Sequence, residues 1–473
     1  MICKLHKKVF ATRPVARAFA SVMKPFEKLL GAMLVHITRE DEEGLEKILL
    51  DESRLFVEQL DEINKLWASE EGGHRKWWFK EDVVEFVSWD ITAMYPNLKH
   101  NFVIREIDEA IVRIIKKKSG KGKEEMEELR EVVMPMLIFA LQHQFLYVLS
   151  EGSGDKEEKI FYYQHQGIYI GSSASGAIAN LALLGREREM ISELEKEDGW
   201  VLVYRRYIDD ICAILVGRAS LLSDGGVEES RAEVVALRKK MEDKINQLDR
   251  EEGSVQVDPA SVIQAVKQKG AQSESVRLEY LDLDVELGWN EKGWLQLNTG
   301  IYRKPAAADN YLHFTSAHPE SLKRGMVRGE LCRYLTRCST SERFETAWER
   351  FRTALMTRGY PAHWLDKVRR GIEWEGRGEM NASMNKKRAL KRKGGSGGKG
   401  KGEAVVVVVP AKPGVREWWK KCQGVEGLVD LGLLEEEVRK RVPKEMMLCE
   451  SATQNQGGQI KATGKATRKK AKT

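Results

Sequence analysis

Trp200 to Val216, WVLVYRRYIDDICAILV, is the stretch whose reading decides the fold. Apolar residues crowd both sides of Tyr207-Ile208-Asp209-Asp210, which predicts two short strands joined by a tight turn. The flanks are apolar without strict alternation, so both faces of these strands are expected to be buried. Two adjacent acids at such a turn cannot be buried unpaired; they need water, a cation or a metal. A solvated hairpin tip meets that requirement as well as a metal site does. A partner carboxylate elsewhere in the chain decides between them.

One candidate lies upstream. VVEFVSWDITAMYPNL, from Val83 to Leu98, opens as a β-branched and aromatic run that ends on Asp90. Pro96-Asn97 then breaks regular structure. A buried strand that delivers a carboxylate at its end is a common way to build a site. Asp90, Asp209 and Asp210 together suit two divalent ions held a few ångström apart for in-line phosphoryl transfer. Mg²⁺ keeps waters and substrate oxygens and takes few protein carboxylates, so three acids suffice. From spacing alone, a purely structural role for the acids stays equally open.

The bulk numbers bound the rest. A chain of 473 residues is expected to hold two or three compact units. An apolar share of 42% is ordinary for a globular protein, and a charged share of 32% is high. The net charge of +6 hides local clusters of lysine and arginine. Cys3, Cys212, Cys332, Cys338, Cys422 and Cys449 form no C-x-x-C pair, which excludes the usual zinc spacing and a disulfide framework. Free thiols in a reducing compartment are expected instead. No apolar run approaches a membrane span, AVVVVV at Ala404 to Val409 being strand-sized. MICKLHKKVFATRP lacks the apolar core of a secretory signal. A soluble, intracellular chain is expected.

Along the chain, Met1 to about Leu34 carries Lys4, His6, Lys7, Lys8, Arg13, Arg17 and Lys24, either a plain basic entrance or a phosphate-binding surface. Arg39 to Trp67 has apolar residues at helical spacing beside acidic faces. Asn101 to Ile115 reads as a helix, Lys116 to Glu128 as a charged loop and Leu129 to Leu149 as an apolar helix. A strand is expected over IFYYQHQGIYI, then small residues in GSSASGAIANLALL and a helix from about Ala174. Gly217 to Gln247 is polar and helical. Val276 to Leu287 and Trp294 to Tyr302 look like two strands with Asn290 to Gly293 as their turn. Ser321 to Arg370 is helical and rich in arginine. NKKRALKRKGGSGGKGKG, from Asn385 to Gly402, reads as a disordered linker. A small α/β unit is expected from Ala404 to about Leu448, followed by a basic tail. The basic clusters Lys386 to Lys393 and Arg468 to Lys472 fit nuclear import or nucleic-acid backbone binding, although the second serves equally as a solvated tail.

YRRYIDDI resembles the tyrosine-x-Asp-Asp signature of reverse transcriptases, and SWDITAMYPN resembles their first catalytic motif. QGIYIGSSASGAIANLAL stands between the two, where their Gly-rich template and nucleotide motif belongs. KLHK…TRPV near the start, LEYLDLDVEL, TGIYRKPAAADNYLHFTSAHPESLKRG and RFRTALMTRGYP resemble finger, primer-grip and thumb motifs of Penelope-like retroelements. The resemblance covers Lys4 to about Tyr360 and rests on several motifs in the right order.

The resemblance implies an α+β right-hand polymerase. Fingers, N-terminally shortened, would occupy 1–80, a palm with an antiparallel sheet 81–318 and a helical thumb 319–375. A basic Gly/Ser linker (376–403), a small α/β connector (404–449) and a disordered basic tail (450–473) would follow. The implied activity is RNA-directed DNA polymerisation in the nucleus, or otherwise in the cytoplasm, with an RNA template, a DNA primer and deoxynucleoside triphosphates as partners and no membrane. Asp90, Asp209, Asp210 and the Ile91 carbonyl would hold two Mg²⁺ ions, or Mn²⁺ in their place. Tyr95 would be the steric gate against a 2′-hydroxyl, or else a core tyrosine. Gln166, Gly167 and Gly171 would contact template and incoming nucleotide, and Arg13 and Lys4 its triphosphate. Leu281 and Asp282 resemble the primer grip. Lys304 and Lys323 would bind nucleic-acid backbone or simply be solvated.

Some letters depart from the family pattern. Ser173 stands where the proline of the usual Gly-Ser-Pro belongs. GIYIG at Gly167 to Gly171 is no GIY-YIG endonuclease, because its two halves overlap, and GIY at Gly300 to Tyr302 has no partner. Without an endonuclease, priming is expected from an existing 3′ end. A domesticated relative with terminal-transferase-like activity and a degenerate copy that only binds nucleic acid remain the alternatives.

Overall fold

A computed structural model describes residues 2–3, 12–13, 23–41, 47–68, 82–151, 157–196, 200–217, 226–249, 253, 255–266, 275–293, 295–304 and 310–392. The chain divides into Met1–Lys399 and Gly400–Thr473, and the second unit lies outside the described residues. The connector and tail expected there, over 404–449 and 450–473, are therefore not described.

The first unit opens with β1 (Ile2–Cys3), β2 (Thr12–Arg13), α1 (Lys24–Glu40), α2 (Ser53–Ala68) and β3 (Val83–Asp90). Then come α3 (Met94–Asn97), α4 (His100–Lys117), α5 (Gly120–Gln142), β4 (Phe145–Glu151), β5 (Glu157–Tyr163) and α6 (Ser175–Lys196). The hairpin β6 (Trp200–Tyr207) and β7 (Asp210–Gly217) is followed by α7 (Gly226–Ile245), β8 (Ser261–Val266), β9 (Val276–Tyr280), β10 (Leu283–Trp289) and β11 (Leu295–Ile301). Helices α8 (Glu320–Arg337), α9 (Ser341–Met356), α10 (Ala362–Arg369) and α11 (Arg377–Arg392) close it.

Three expected strands and one more, β8, assemble into a four-stranded antiparallel sheet of order β6-β7-β3-β8. Side chains alternate across it, and both faces are covered. Val83, Val87, Trp89, Ile211, Ala213 and Leu215 join a core shared with α1, α4, α5, α6 and α7. Val84, Phe86, Cys212, Ile214 and Val216 point the other way, toward α2 and a second sheet. Double-sided burial is why these strands read as unbroken apolar runs. Gly217 ends β7 hard against α7, where a Cβ would sit 1.9 Å from the Ser230 carbonyl oxygen.

The second sheet is antiparallel, of order β11-β10-β9. Helices α8, α9 and α10 form a separate core around Leu331, Tyr334, Phe344, Trp348, Phe351 and Leu365. The fold is thus mixed α and β with antiparallel sheets. No described helix is long and apolar enough to cross a membrane.

Several elements differ from the expectations. The loop expected over Lys116 to Glu128 is mostly helix, with Lys121–Glu125 and Lys123–Glu127 paired one turn apart in the first turns of α5. The helix expected to reach Leu149 stops at Gln142, because the aromatic and β-branched residues from Phe145 pair with β5 as a hairpin. The strand expected over IFYYQHQGIYI ends at Tyr163. Val276 to Leu287, expected as one strand, turns back at Leu281-Asp282 into β9 and β10. Strand β8 was not expected. Arg377 to Arg392, expected to belong largely to a linker, is helix α11. Its residues find acidic partners on and just before α2: Arg377 pairs with Asp61 at 2.7 Å, Arg388 with Asp51 at 2.7 Å, and Asn385 donates to Glu58.

Candidate active site

The hairpin turn and the end of β3 meet. Asp90 and Asp210 are directly opposed in the antiparallel register of β3 and β7, and the Ile91 N–H donates to the Asp209 carbonyl at 2.9 Å. Directly opposed side chains leave their strands about 5 Å apart at Cβ. Three acids from two distant motifs therefore gather at one end of the sheet, each partly exposed. Asp258 adjoins them: its N–H donates to the Asp90 carbonyl at 2.9 Å, and its Oδ1 accepts from the Thr92 hydroxyl at 2.7 Å.

Backbone strain marks the same places. Among the described residues, the non-glycine positions with positive φ are Ala93 at 46°, Ile208 at 57° and Leu281 at 55°. They follow Asp90, precede Asp209, and form the tip of the β9–β10 hairpin. The left-handed region is costly for a β-branched residue, and such outliers gather where function imposes a backbone shape.

The Gly-rich stretch lies against α3. Gly167 has φ 79°, and a Cβ there would sit 2.3 Å from the Pro96 carbonyl oxygen, so only glycine fits. The Ile168 N–H donates to the Tyr95 carbonyl at 2.7 Å. Buried Gln144 donates to the Gly167 carbonyl at 3.0 Å and accepts from the Tyr169 N–H at 2.9 Å; His100 Nε2 lies 2.8 Å from the same Gly167 oxygen. The Tyr169 hydroxyl donates to Glu27 on α1. Burial pushes the Glu27 carboxyl above the usual range, with hydrogen bonds from Ser172 and the Ser173 backbone opposing the rise. Gly171, at φ 126°, and Gln166 are exposed. Tyr95 is half-buried, with its hydroxyl 3.7 Å from where a Cβ on Gly176 would sit.

The remaining expected site residues divide. Lys4 lies outside the described residues. Arg13 is described only through its backbone, opposite Ile2 in β2. Lys304 is exposed. Leu281 and Asp282 form the hairpin tip, but Asp282 faces inward to Arg333 at 2.8 Å and Arg337 at 3.1 Å. Lys323 corrects the expectation of a backbone-binding or solvated lysine. It is buried, and its ammonium donates to the carbonyls of Phe314 at 2.6 Å and Ser316 at 2.7 Å, so it fastens that loop instead.

Sequence reasoning missed Gln144, Glu27 and, most of all, Arg206. Arg206 stands beside the acids in YRRYIDDI, and an arginine inside an apolar strand demands a buried partner. That partner is Glu187 on α6, at 2.6 Å.

Among the described residues, no group of three or more His, Cys, Asp or Glu closes into a metal site by itself. Mg²⁺ is usually bound through one or two carboxylates plus waters and substrate phosphates. The opposed Asp90 and Asp210, with Asp209 beside them, fit that kind of incomplete donor set.

A family model described as an animal helix-turn-helix domain matches residues 310–370, the span of α8 to α10. No curated protein matches the chain by sequence. Among solved structures the chain is similar to telomerase from Candida tropicalis in complex with a TWJ fragment of telomeric RNA, at 14% identity and TM-score 0.41, over 81% of this chain and 56% of that one. It is similar to apo telomerase from Candida tropicalis truncated from its C-terminal domain, at 15% identity and TM-score 0.38, over 60% and 46%. The RNA-dependent RNA polymerase of BmCPV is also similar, at 9% identity and TM-score 0.23, over 65% and 24%. The chain thus spans about half the length of these telomerase chains.

Proposed function

We propose that the chain is an RNA-directed DNA polymerase, the reverse transcriptase of a Penelope-like retroelement. The observation that carries this reading is the register that sets Asp90 opposite Asp210, with the Asp209 carbonyl bonded to Ile91. A solvated hairpin tip has no need of a second motif arriving at the same point with a third acid. Asp90, Asp209 and Asp210, with the Ile91 carbonyl, would hold two Mg²⁺ ions, or Mn²⁺. Ions so held would supply charge stabilisation for the entering and leaving oxygens of a phosphoryl transfer.

The chain's own groups would do the positioning. Tyr95, whose carbonyl accepts from the Ile168 N–H, would lie under the sugar of the incoming deoxynucleotide and exclude a 2′-hydroxyl. Gln166 and Gly171, both exposed on the Gly-rich loop, would face template and nucleotide. Leu281 would hold the primer end while Asp282 ties its hairpin to α8. Helices α8 to α10 would serve as the thumb.

The test compares incorporation of dNTPs onto a DNA primer annealed to an RNA template with incorporation onto the same primer alone. Extension that depends on the template and follows its sequence is the expected result. Equal addition without template would replace this reading by a terminal-transferase-like one.

A further inference from the structure

A buried guanidinium holds the turn that carries Asp209. Arg206 is fully buried, and all five of its N–H donors are engaged. Nε and Nη2 fork onto the two carboxylate oxygens of Glu187 at 2.6 and 2.8 Å. Nη1 donates to Asn180 Oδ1 at 3.0 Å and to the Ile208 carbonyl at 2.9 Å, and Nη2 also donates to the Asn180 carbonyl at 3.2 Å. Glu187 is equally buried and accepts from the Tyr204 hydroxyl at 2.8 Å.

Stability alone does not account for this arrangement. A buried ion pair is often matched or bettered by apolar residues of the same volume. Here one donor is spent on the carbonyl of Ile208, the β-branched residue in the left-handed region. Such a backbone persists only where its surroundings over-determine it. The root of the guanidinium is fixed too: the Arg206 N–H donates to the Ile48 carbonyl, and the Leu50 N–H to the Arg206 carbonyl, both at 2.8 Å. Asn180 and Glu187 lie on α6, whose first residue, Ser175, donates its hydroxyl to the Tyr169 carbonyl in the Gly-rich loop at 2.9 Å. One helix therefore grips both the loop and the acid turn.

We propose that Arg206, Glu187 and Asn180 form a clamp that sets the Ile208-Asp209 turn, and with it the metal-holding carboxylates, against the Gly-rich loop. Arg206 is a positioning residue in this scheme, since it touches no reacting group. The inference rests on the polymerase reading above. Arg206→Lys keeps the charge opposite Glu187 but loses the fork that reaches both Asn180 and Ile208. Asn180→Ala leaves the ion pair whole and removes only the side-chain link.

The full chain is tested as wild type, Asp209→Asn, Arg206→Lys and Asn180→Ala. Mn²⁺ binding is read by electron paramagnetic resonance, primer extension is followed across a Mg²⁺ series, and thermal midpoints are recorded. Arg206→Lys is expected to raise the Mn²⁺ dissociation constant and the half-saturating Mg²⁺ concentration by roughly tenfold, with KM for primer–template unchanged. Asn180→Ala is expected to move both in the same direction by less. Variants that bind Mn²⁺ as wild type does, whatever their thermal midpoint, would overturn the clamp. If Arg206→Lys does not fold, Asn180→Ala decides by the same criterion. Equal Mn²⁺ binding by wild type and Asp209→Asn would instead overturn the polymerase reading, and the clamp with it.

Discussion

Asp282 sits at the tip of the β9–β10 hairpin between Arg333 and Arg337, where it was expected to face a primer. Burial raises its carboxyl, but the Ser53 hydroxyl, Arg337 and Arg333 outweigh burial and leave it below the ordinary value of 3.8. A carboxylate depressed on folding adds stability above its unfolded pKa and surrenders it as pH falls through the lower folded value. The thermal midpoint of Asp282→Asn should therefore lie below that of wild type at neutral pH, with the gap narrowing as pH drops below about 3.8. A gap independent of pH across that window contradicts the assignment. At this scale the acids were legible because adjacent carboxylates inside an apolar run are conspicuous. Lys323 and Arg206 were not, because a single cation in a sequence shows its charge and hides the carbonyl or carboxylate it will meet.

Strands β3, β6 and β7 were legible as elements since burial on both faces writes an unbroken apolar run. The β4–β5 hairpin was not: FLYVLSE continues the apolar pattern of α5, and periodicity alone does not part a strand from a helix end over so few residues. Helix α11 was hidden for an electrostatic reason. A basic segment reads as solvated until its acidic partner is known, and Asp51, Glu58 and Asp61 lie far upstream on and beside α2. Reversing two of these contacts with Arg377→Glu and Arg388→Glu should free the helix. Trypsin should then cleave between Lys386 and Arg392 several-fold faster than in wild type, because ion pairs near the surface contribute only about 1 kcal/mol or less each and like charges remove even that. Cleavage at the wild-type rate would show that α11 docks by other means.

Across the whole molecule, the four-stranded sheet brings Asp90, Asp209 and Asp210 to one end. The Gly-rich loop lies on α3, just past Asp90 in the chain, and the β9–β10 hairpin and helices α8 to α11 follow. The order of these parts was readable because each carried its own motif. Their convergence was not, since it depends on the β3–β7 register that sets Asp90 against Asp210. The central claim is that these acids drive nucleotide transfer to a primer. It is tested most directly by extending a labelled DNA primer on an RNA template with Mg²⁺, using wild type and Asp209→Asn side by side. The account predicts template-directed product from wild type that disappears with a chelator and is reduced to background in Asp209→Asn. Equal product from the two proteins would contradict it.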